Sequence, residues 1–277
     1  MDKLILFLAC MMACGTCFAE NNEAQKNDNA QKSKTLVLYY SQTGVTKTVA
    51  EELQKKLGAD IESIKAVKPY DGDFNATIAR CQQEMKNNEL PEIQPVKHNL
   101  DDYDTIFLGF SVWFGTYARP IITLVKDNKF EGKKIIPFCT FGSGGLVECT
   151  EQLKKDLPNA TILNGYGVRE ARIARTAEEL DRFLKENKFI EGTVEALEPY
   201  SEQKPVTEEE VKTFKAACDG YQFPLGTPIT VGSRKTANGV DYLYTVNGKT
   251  PDGKDVKSTI YVTVENGKTP EFTLVVR

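Results

Sequence analysis

Three hydroxyls and a glycine stand together in Ser41-Gln42-Thr43-Gly44-Val45-Thr46. These side chains supply neither a general base nor a metal ligand. What they supply is hydrogen-bond donors, and donors clustered at the start of a helix suit an anion. The stretch lacks the lysine of GxxxxGK[ST] and does not read GxGxxG, so triphosphate and dinucleotide readings are disfavoured. A terminal phosphate monoester held by hydrogen bonds alone fits best. The plainer reading is an ordinary capped helix start, since serine and threonine are favoured there.

The elements around this loop decide between the two. Before it runs Leu36, Val37, Leu38, Tyr39 and Tyr40, an apolar strand; after it Val45, Val49, Ala50 and Leu53 fall at helical spacing. The alternation continues along the chain. Apolar runs at 61–67, 105–110, 134–140 and 160–163 are separated by helical patterns at 76–86, 118–126, 146–157 and 177–186. Near-continuous apolar strands alternating with amphipathic helices predict an α/β fold, a parallel sheet covered on both faces. Right-handed crossovers make it a doubly wound three-layer sandwich. Ligands of such sheets bind at the carboxyl ends of the strands, where strand order reverses.

Two further loops therefore matter. After the third strand comes Ser111-Val112-Trp113-Phe114-Gly115-Thr116, which holds the only tryptophan. A flat ring could stack there. After the fourth comes Thr140-Phe141-Gly142-Ser143-Gly144-Gly145, whose glycines let backbone amides approach a ligand edge. Trp113 and Phe114 read otherwise as core, and the glycines as a flexible turn. A phosphate at one end and a flat aromatic at the other describe FMN.

The three loops together carry a resemblance. Ser41 to Thr46 matches the flavodoxin phosphate loop [ST]-x-T-G-x-T at every fixed position. The stretches YDTIFLGFSVWFGTYARP (103–120) and GKKIIPFCTFGSGG (132–145) resemble a bacterial flavodoxin-like branch with GxPxWWGT and FxTxGGSG loops. The likeness spans about residues 35–188. It implies a five-stranded sheet of order 2-1-3-4-5 with FMN at the switch point. Ser41, Thr43 and Thr46 would bind phosphate by hydroxyl and amide, with Gln42, Gly44 and Val45 giving amides. Trp113 or Phe114 would cover one face of the isoalloxazine, beside Ser111 and Val112, and Gly115 would let the backbone come close. Thr140, Phe141, Gly142, Ser143 and Gly144 would line the other side. Two positions depart from the branch: Ser111 replaces its usual proline, and Phe141 a residue that is often polar.

Composition bounds the rest. The chain has 277 residues, 27% of them charged, and a net charge of −4 with no basic block, which argues against nucleic acid as a partner. Its single histidine, His98, precedes an acidic run and reads as solvated. Four cysteines outside the N-terminal segment (Cys81, Cys139, Cys149, Cys218) form no C-x-x-C pair; Cys139, at the end of an apolar strand, reads as a buried small hydrophobe, with a Cys139–Cys149 bridge, which would close a short loop, as the alternative. Residues 1–19 read as a signal peptide, with cleavage after Cys17-Phe18-Ala19 favoured over lipid attachment at Cys14, because the lipid box lacks its usual leucine. Residues 20–34 are polar and aperiodic, a disordered tether. The reading is then a flavodoxin-like domain over 35–190, a linker over 191–205 and an α+β domain over 206–277.

In that last part, Thr207 and Glu210 form a capping-box pattern opening a helix, and four alternating strands follow between turns such as NGVD and ENGKTPE. The layout resembles the cystatin-like arrangement, but its inhibitor loop QxVxG is absent, so the expectation is a protein-binding, dimerising or merely stabilising module. Function comes down to three readings: an electron carrier serving a protein or membrane redox partner, an NAD(P)H-dependent FMN reductase of quinones or similar acceptors, or an exported binding module whose fold holds no flavin. The enzyme reading needs cations for the nucleotide phosphates, and Arg119, Arg169 and Arg172 are its candidates. Export to the periplasm or cell surface favours the carrier, because free NAD(P)H is not met there.

Overall fold

A computed structural model describes residues 34–71, 73–249 and 253–277; the expected signal peptide, the Cys14 lipid site and nearly all of the tether lie outside them. Among the described residues no helix is long and apolar enough to cross a membrane.

Short apolar runs build the first sheet. Strand β1 (Thr35–Tyr39) pairs in parallel with β2 (Asp60–Ser63) on one side and β3 (Thr105–Trp113) on the other. A two-residue strand β4 (Thr116–Tyr117) folds back antiparallel on the end of β3. Strand β5 (Lys134–Phe141) follows β3 in parallel, and β6 (Thr161–Ile162) and β7 (Tyr166–Arg169) both extend along β5. The resulting order, β2-β1-β3-β5-β6/β7, is the expected 2-1-3-4-5 with its last strand broken in two.

Both faces of this sheet are covered because consecutive strand residues point to opposite sides. Leu36, Leu38, Ile106, Leu108 and Ile135 pack with α3 (Arg119–Asp127) and α4 (Leu146–Asp156) through Ile121, Leu124, Cys149 and Leu153; α2 (Phe74–Lys86) adds Cys81. The alternate residues Val37, Tyr39, Phe107, Ile136 and Phe138 meet α1 (Val45–Leu57) and α5 (Thr176–Glu186) through Val49, Leu53, Leu180 and Leu184. Each fully buried Leu, Ile or Phe contributes about 1.5–3 kcal/mol by leaving water.

The C-terminal part is a helix on an antiparallel sheet. The Thr207–Glu210 capping box is present in full and opens α6 (Glu208–Ala217). The sheet has five strands, ordered β12-β11-β10-β9-β8, one more than the periodicity suggests. They are β8 (Lys204–Pro205), β9 (Thr227–Thr236), β10 (Gly239–Lys249), β11 (Asp255–Glu265) and β12 (Glu271–Val276). The addition is β8, drawn from the expected linker, where Ser201 N–H also donates to Ser233 O at 2.8 Å. Phe214 and Ala217 of α6 pack on Val231, Tyr244, Ile260, Val262 and Phe272 of the sheet.

The described residues form one compact unit, so the two sheets are joined rather than strung apart. Val275 N–H of β12 donates to Ser143 O at 2.8 Å, and Leu274 packs against the apolar cluster of the first sheet. Arg169, at the end of β7, donates from Nε to Gly142 O (2.9 Å) and from NH1 to Phe272 O (2.8 Å). Arg172 bridges Glu179 and Glu271, and Arg175 binds Glu265 at the end of β11.

Arg175 first, and Lys268 next, hold the Glu265 carboxyl down to about 2 from an ordinary 4.5. A depressed carboxyl stabilises the native contact above its unfolded value, and that contribution disappears as pH falls through the folded value. The contact between the sheets is therefore expected to persist unchanged from neutrality to about pH 4.5 and to loosen toward about pH 2. Amide chemical shifts of Glu265, Val275 and Ser143 followed through an acid titration check this.

Candidate functional site

The loops after β1, β3 and β5 lie at the carboxyl edge of the first sheet, and one hydroxyl joins the elements that carry them. Thr46, fully buried in the first turn of α1, shares hydrogen bonds with Ser111 Oγ (3.0 Å) and Thr140 Oγ1 (2.7 Å). Its side chain thus faces inward, tying the start of α1 to the carboxyl ends of β3 and β5, while its amide remains at the helix start. Replacing it with valine keeps the shape but leaves two hydroxyls short of a partner. Thr46→Val is expected to cost about 1–3 kcal/mol, read from urea unfolding.

The rest of the phosphate loop is open. The Oγ of Ser41 is buried and has no hydrogen-bond partner, an unusual condition for a polar atom. Gly44 caps α1 at φ 94° with no side-chain cap bond, so the first-turn amides have no side-chain acceptor. Thr43 is exposed and Val45 half-buried, both beside this helix end. Gln42 is committed elsewhere: its amide donates to Thr77 Oγ1 (2.6 Å) and Tyr70 O (3.1 Å) and fixes α2 against the loop. A cavity of about 320 Å³ lined by Tyr40, Ser41, Gln42, Lys65, Tyr70 and Asp71 opens next to it. An orphaned hydroxyl together with an uncapped helix N-terminus fits a phosphate.

The second loop is shorter than expected because β3 continues through Trp113. Val112 and Trp113 pair with Tyr117 and Thr116, leaving Phe114 and Gly115 as a two-residue hairpin turn. Both have positive φ, 52° and 79°, as a type I′ turn requires. A phenylalanine held in the left-handed region is strained, and its ring is about half exposed. Trp113 is half-buried instead. It meets Tyr40 at 5.7 Å and Tyr70 at 5.1 Å, both edge-on. Of the two aromatics, Phe114 is the one whose ring stands clear of the protein.

Tyr40 and Tyr70 carry no motif that marks them in the sequence, yet they form part of this site. Tyr70 OH donates to Glu84 (2.7 Å), as do Arg80 Nε (2.8 Å) and Arg119 Nε (2.7 Å), and Arg80 lies 3.7 Å over the Tyr70 ring. Burial, then the Glu84 carboxylate, drives the Tyr70 hydroxyl well above its usual range, so it stays a donor. Arg119 is thus spent on Glu84 and Glu89 O, and Arg169 and Arg172 are spent on the C-terminal sheet. Of the three arginines considered for nucleotide phosphates, Arg119 and Arg172 are ion-paired and Arg169 is bonded to main-chain carbonyls.

In the third loop, Thr140 and Phe141 are buried, Gly142 is exposed, and Ser143 and Gly144 lie half-buried against β12. His98 keeps about a third of its side chain exposed and also has a partner: its Nδ1 lies 2.6 Å from the Glu62 carboxylate, which accepts from its amide as well. Cys139 and Cys149 are free and unbridged. Burial pushes the Cys139 thiol well up and Cys149 to about 12, which keeps both as inert packing groups. Among the described residues no group of three metal-ligating side chains comes together.

The fold and the three loops can now be set beside known proteins. The family model described as "Flavodoxin" matches residues 34–187, more than half of the chain. The chain belongs to the flavodoxin family. No curated protein matches it. Among solved structures it is similar to a flavoprotein from Bacteroides eggerthii (30% identity over 54% of this chain and 98% of that one, TM-score 0.46). It is also similar to one from Bacteroides uniformis (27%, 54% and 98%, TM-score 0.48). A flavoprotein from Lactobacillus acidophilus, solved in complex with FMN, follows at 25% identity, 54% and 97% coverage and TM-score 0.44. The flavodoxin match stops before the C-terminal sheet, and a cystatin-like assignment of that part finds no support in it.

Proposed function

We propose that this flavodoxin binds FMN non-covalently at the three loops and carries electrons between partners. The observation that carries the reading is the phosphate loop: Ser41 Oγ is buried and unpartnered beside the uncapped start of α1. A phosphate there would take the Ser41 hydroxyl and the amides of Gln42 to Thr46, with the exposed Thr43 hydroxyl closing over it. Phe114, whose ring is about half exposed, would cover the flavin, and Ser111, Val112, Gly115 and the 140–144 loop would line its sides. Bound FMN supplies the redox chemistry, and the protein holds, tunes and shields it.

The carrier is favoured over the NAD(P)H enzyme by the arginines. A nicotinamide nucleotide brings phosphates that need cations; Arg119 and Arg172 are ion-paired with Glu84, Glu179 and Glu271, and Arg169 donates to the main-chain carbonyls of Gly142 and Phe272. The Arg119–Glu84 pair is buried, and a pair of that kind is costly to break. The partner is then a redox protein or membrane component met after export, since the N-terminal segment has the pattern of a signal peptide.

The test is an anaerobic visible spectrum of the FMN-loaded chain. The expected result is a yellow protein that keeps its flavin absorbance with NADPH and bleaches with dithionite. Bleaching by NADPH within seconds would establish the reductase instead.

A further inference from the structure

The C-terminal sheet does not merely lie near the third loop; it holds that loop's backbone. Two consecutive loop carbonyls are taken, one by an arginine seated on that sheet and one by the sheet itself. Gly142 O accepts from Arg169 Nε at 2.9 Å, and Ser143 O accepts from Val275 N–H at 2.8 Å. Arg169 itself is nearly buried, its guanidinium 3.3 Å over the Phe272 ring, 5.5 Å from Tyr221 and bonded to Phe272 O. Burial lowers its pKa from 12.5, but a guanidinium remains charged. The approach is close enough that a Cβ on Gly144 would lie 2.1 Å from Val275 O, so only glycine allows the strand to rest there.

Peptide planarity turns these contacts into a directional statement. In a trans peptide the C=O and the following N–H point opposite ways. With Gly142 O and Ser143 O aimed into the Arg169–β12 assembly, the N–H groups of Ser143 and Gly144 are aimed away from it. Strand β12 is the edge of its sheet, and an edge carries unpaired main-chain groups that need a partner. Here the partner of Val275 N–H is the very loop that the flavodoxin site would use.

We infer that the C-terminal sheet is the outer wall of the cofactor site, and that Arg169 is a positioning residue that fixes the 142–144 backbone so that two amides face the flavin edge. The inference rests on the FMN reading for its ligand, but not for the clamp itself. Ion pairs Arg172–Glu271 and Arg175–Glu265 keep the wall docked.

The experiment uses the full chain, wild type and three variants: Arg169→Met, Arg169→Lys and Val275→Pro. Proline is tolerated on an edge strand whose N–H faces outward, so the last variant removes the hydrogen bond to Ser143 O; because the Val275 side chain is also buried in the core of that sheet, urea unfolding of each variant checks that the sheet stays folded. Hydrogen exchange of the Ser143 and Gly144 amides in the flavin-free chain is measured beside FMN and riboflavin affinity and the midpoint potential of the bound flavin. Arg169→Met and Val275→Pro are expected to speed loop exchange and to weaken FMN and riboflavin alike by about tenfold, because the clamped loop faces the ring and not the phosphate. The potential should become more negative as the amides are no longer held toward the reduced ring, and Arg169→Lys should restore part of each effect. Variants that bind both flavins like the wild type at unchanged potential would overturn the inference. Should the wild-type chain bind no FMN, the functional reading fails separately. Loop exchange then judges the clamp alone: faster in the variants supports it, unchanged refutes it.

Discussion

The structure depends on how the loops at one edge of a parallel sheet satisfy their polar groups. Strands buried on both faces hide their main chain, and loops leaving their carboxyl ends must find partners for every N–H and C=O. Thr46 meets part of this demand by bonding Ser111 and Thr140 in a fully buried position. The loop after β5 is served differently, by Arg169 and by the edge of a second sheet. What the loop after β1 leaves unsatisfied, Ser41 Oγ and the first amides of α1, is where a phosphate would fit.

Rigid support around an open centre follows from this arrangement. The triad of Tyr40, Tyr70 and Trp113 is braced by Glu84, which accepts from Tyr70, Arg80 and Arg119. That bracing takes Trp113 out of service as a free ring and puts Phe114 at the strained hairpin tip. Strain kept at an exposed position, with the surrounding structure well packed, is the pattern of a residue held for contact with something else.

The first sheet is legible in the sequence because its strands are continuous apolar runs and its helices keep strict spacing, so periodicity alone places nearly every element. The three loops are legible as motifs. Several features are not. Leu163-Asn164-Gly165 interrupts the last strand, and Gly165 sits where a Cβ would lie 2.5 Å from Pro137 O, a tertiary constraint invisible locally. Lys204–Pro205 is too short, and too proline-bearing, to read as a strand before its partner β9 is known. The arginines at 169, 172 and 175 look locally like surface charge or phosphate ligands. Their partners, Phe272 O, Glu271 and Glu265, are about 90 to 100 residues away, and no local pattern links such pairs.

The central claim is that the loop from Ser41 to Thr46 recognises a phosphate monoester on a flavin. Titrating the chain with FMN and with riboflavin, which differs by lacking that phosphate, tests it most directly. Several amide and hydroxyl bonds to a charged phosphate predict FMN binding at least about 100-fold tighter than riboflavin. Equal affinities, or no binding of either, would contradict the account.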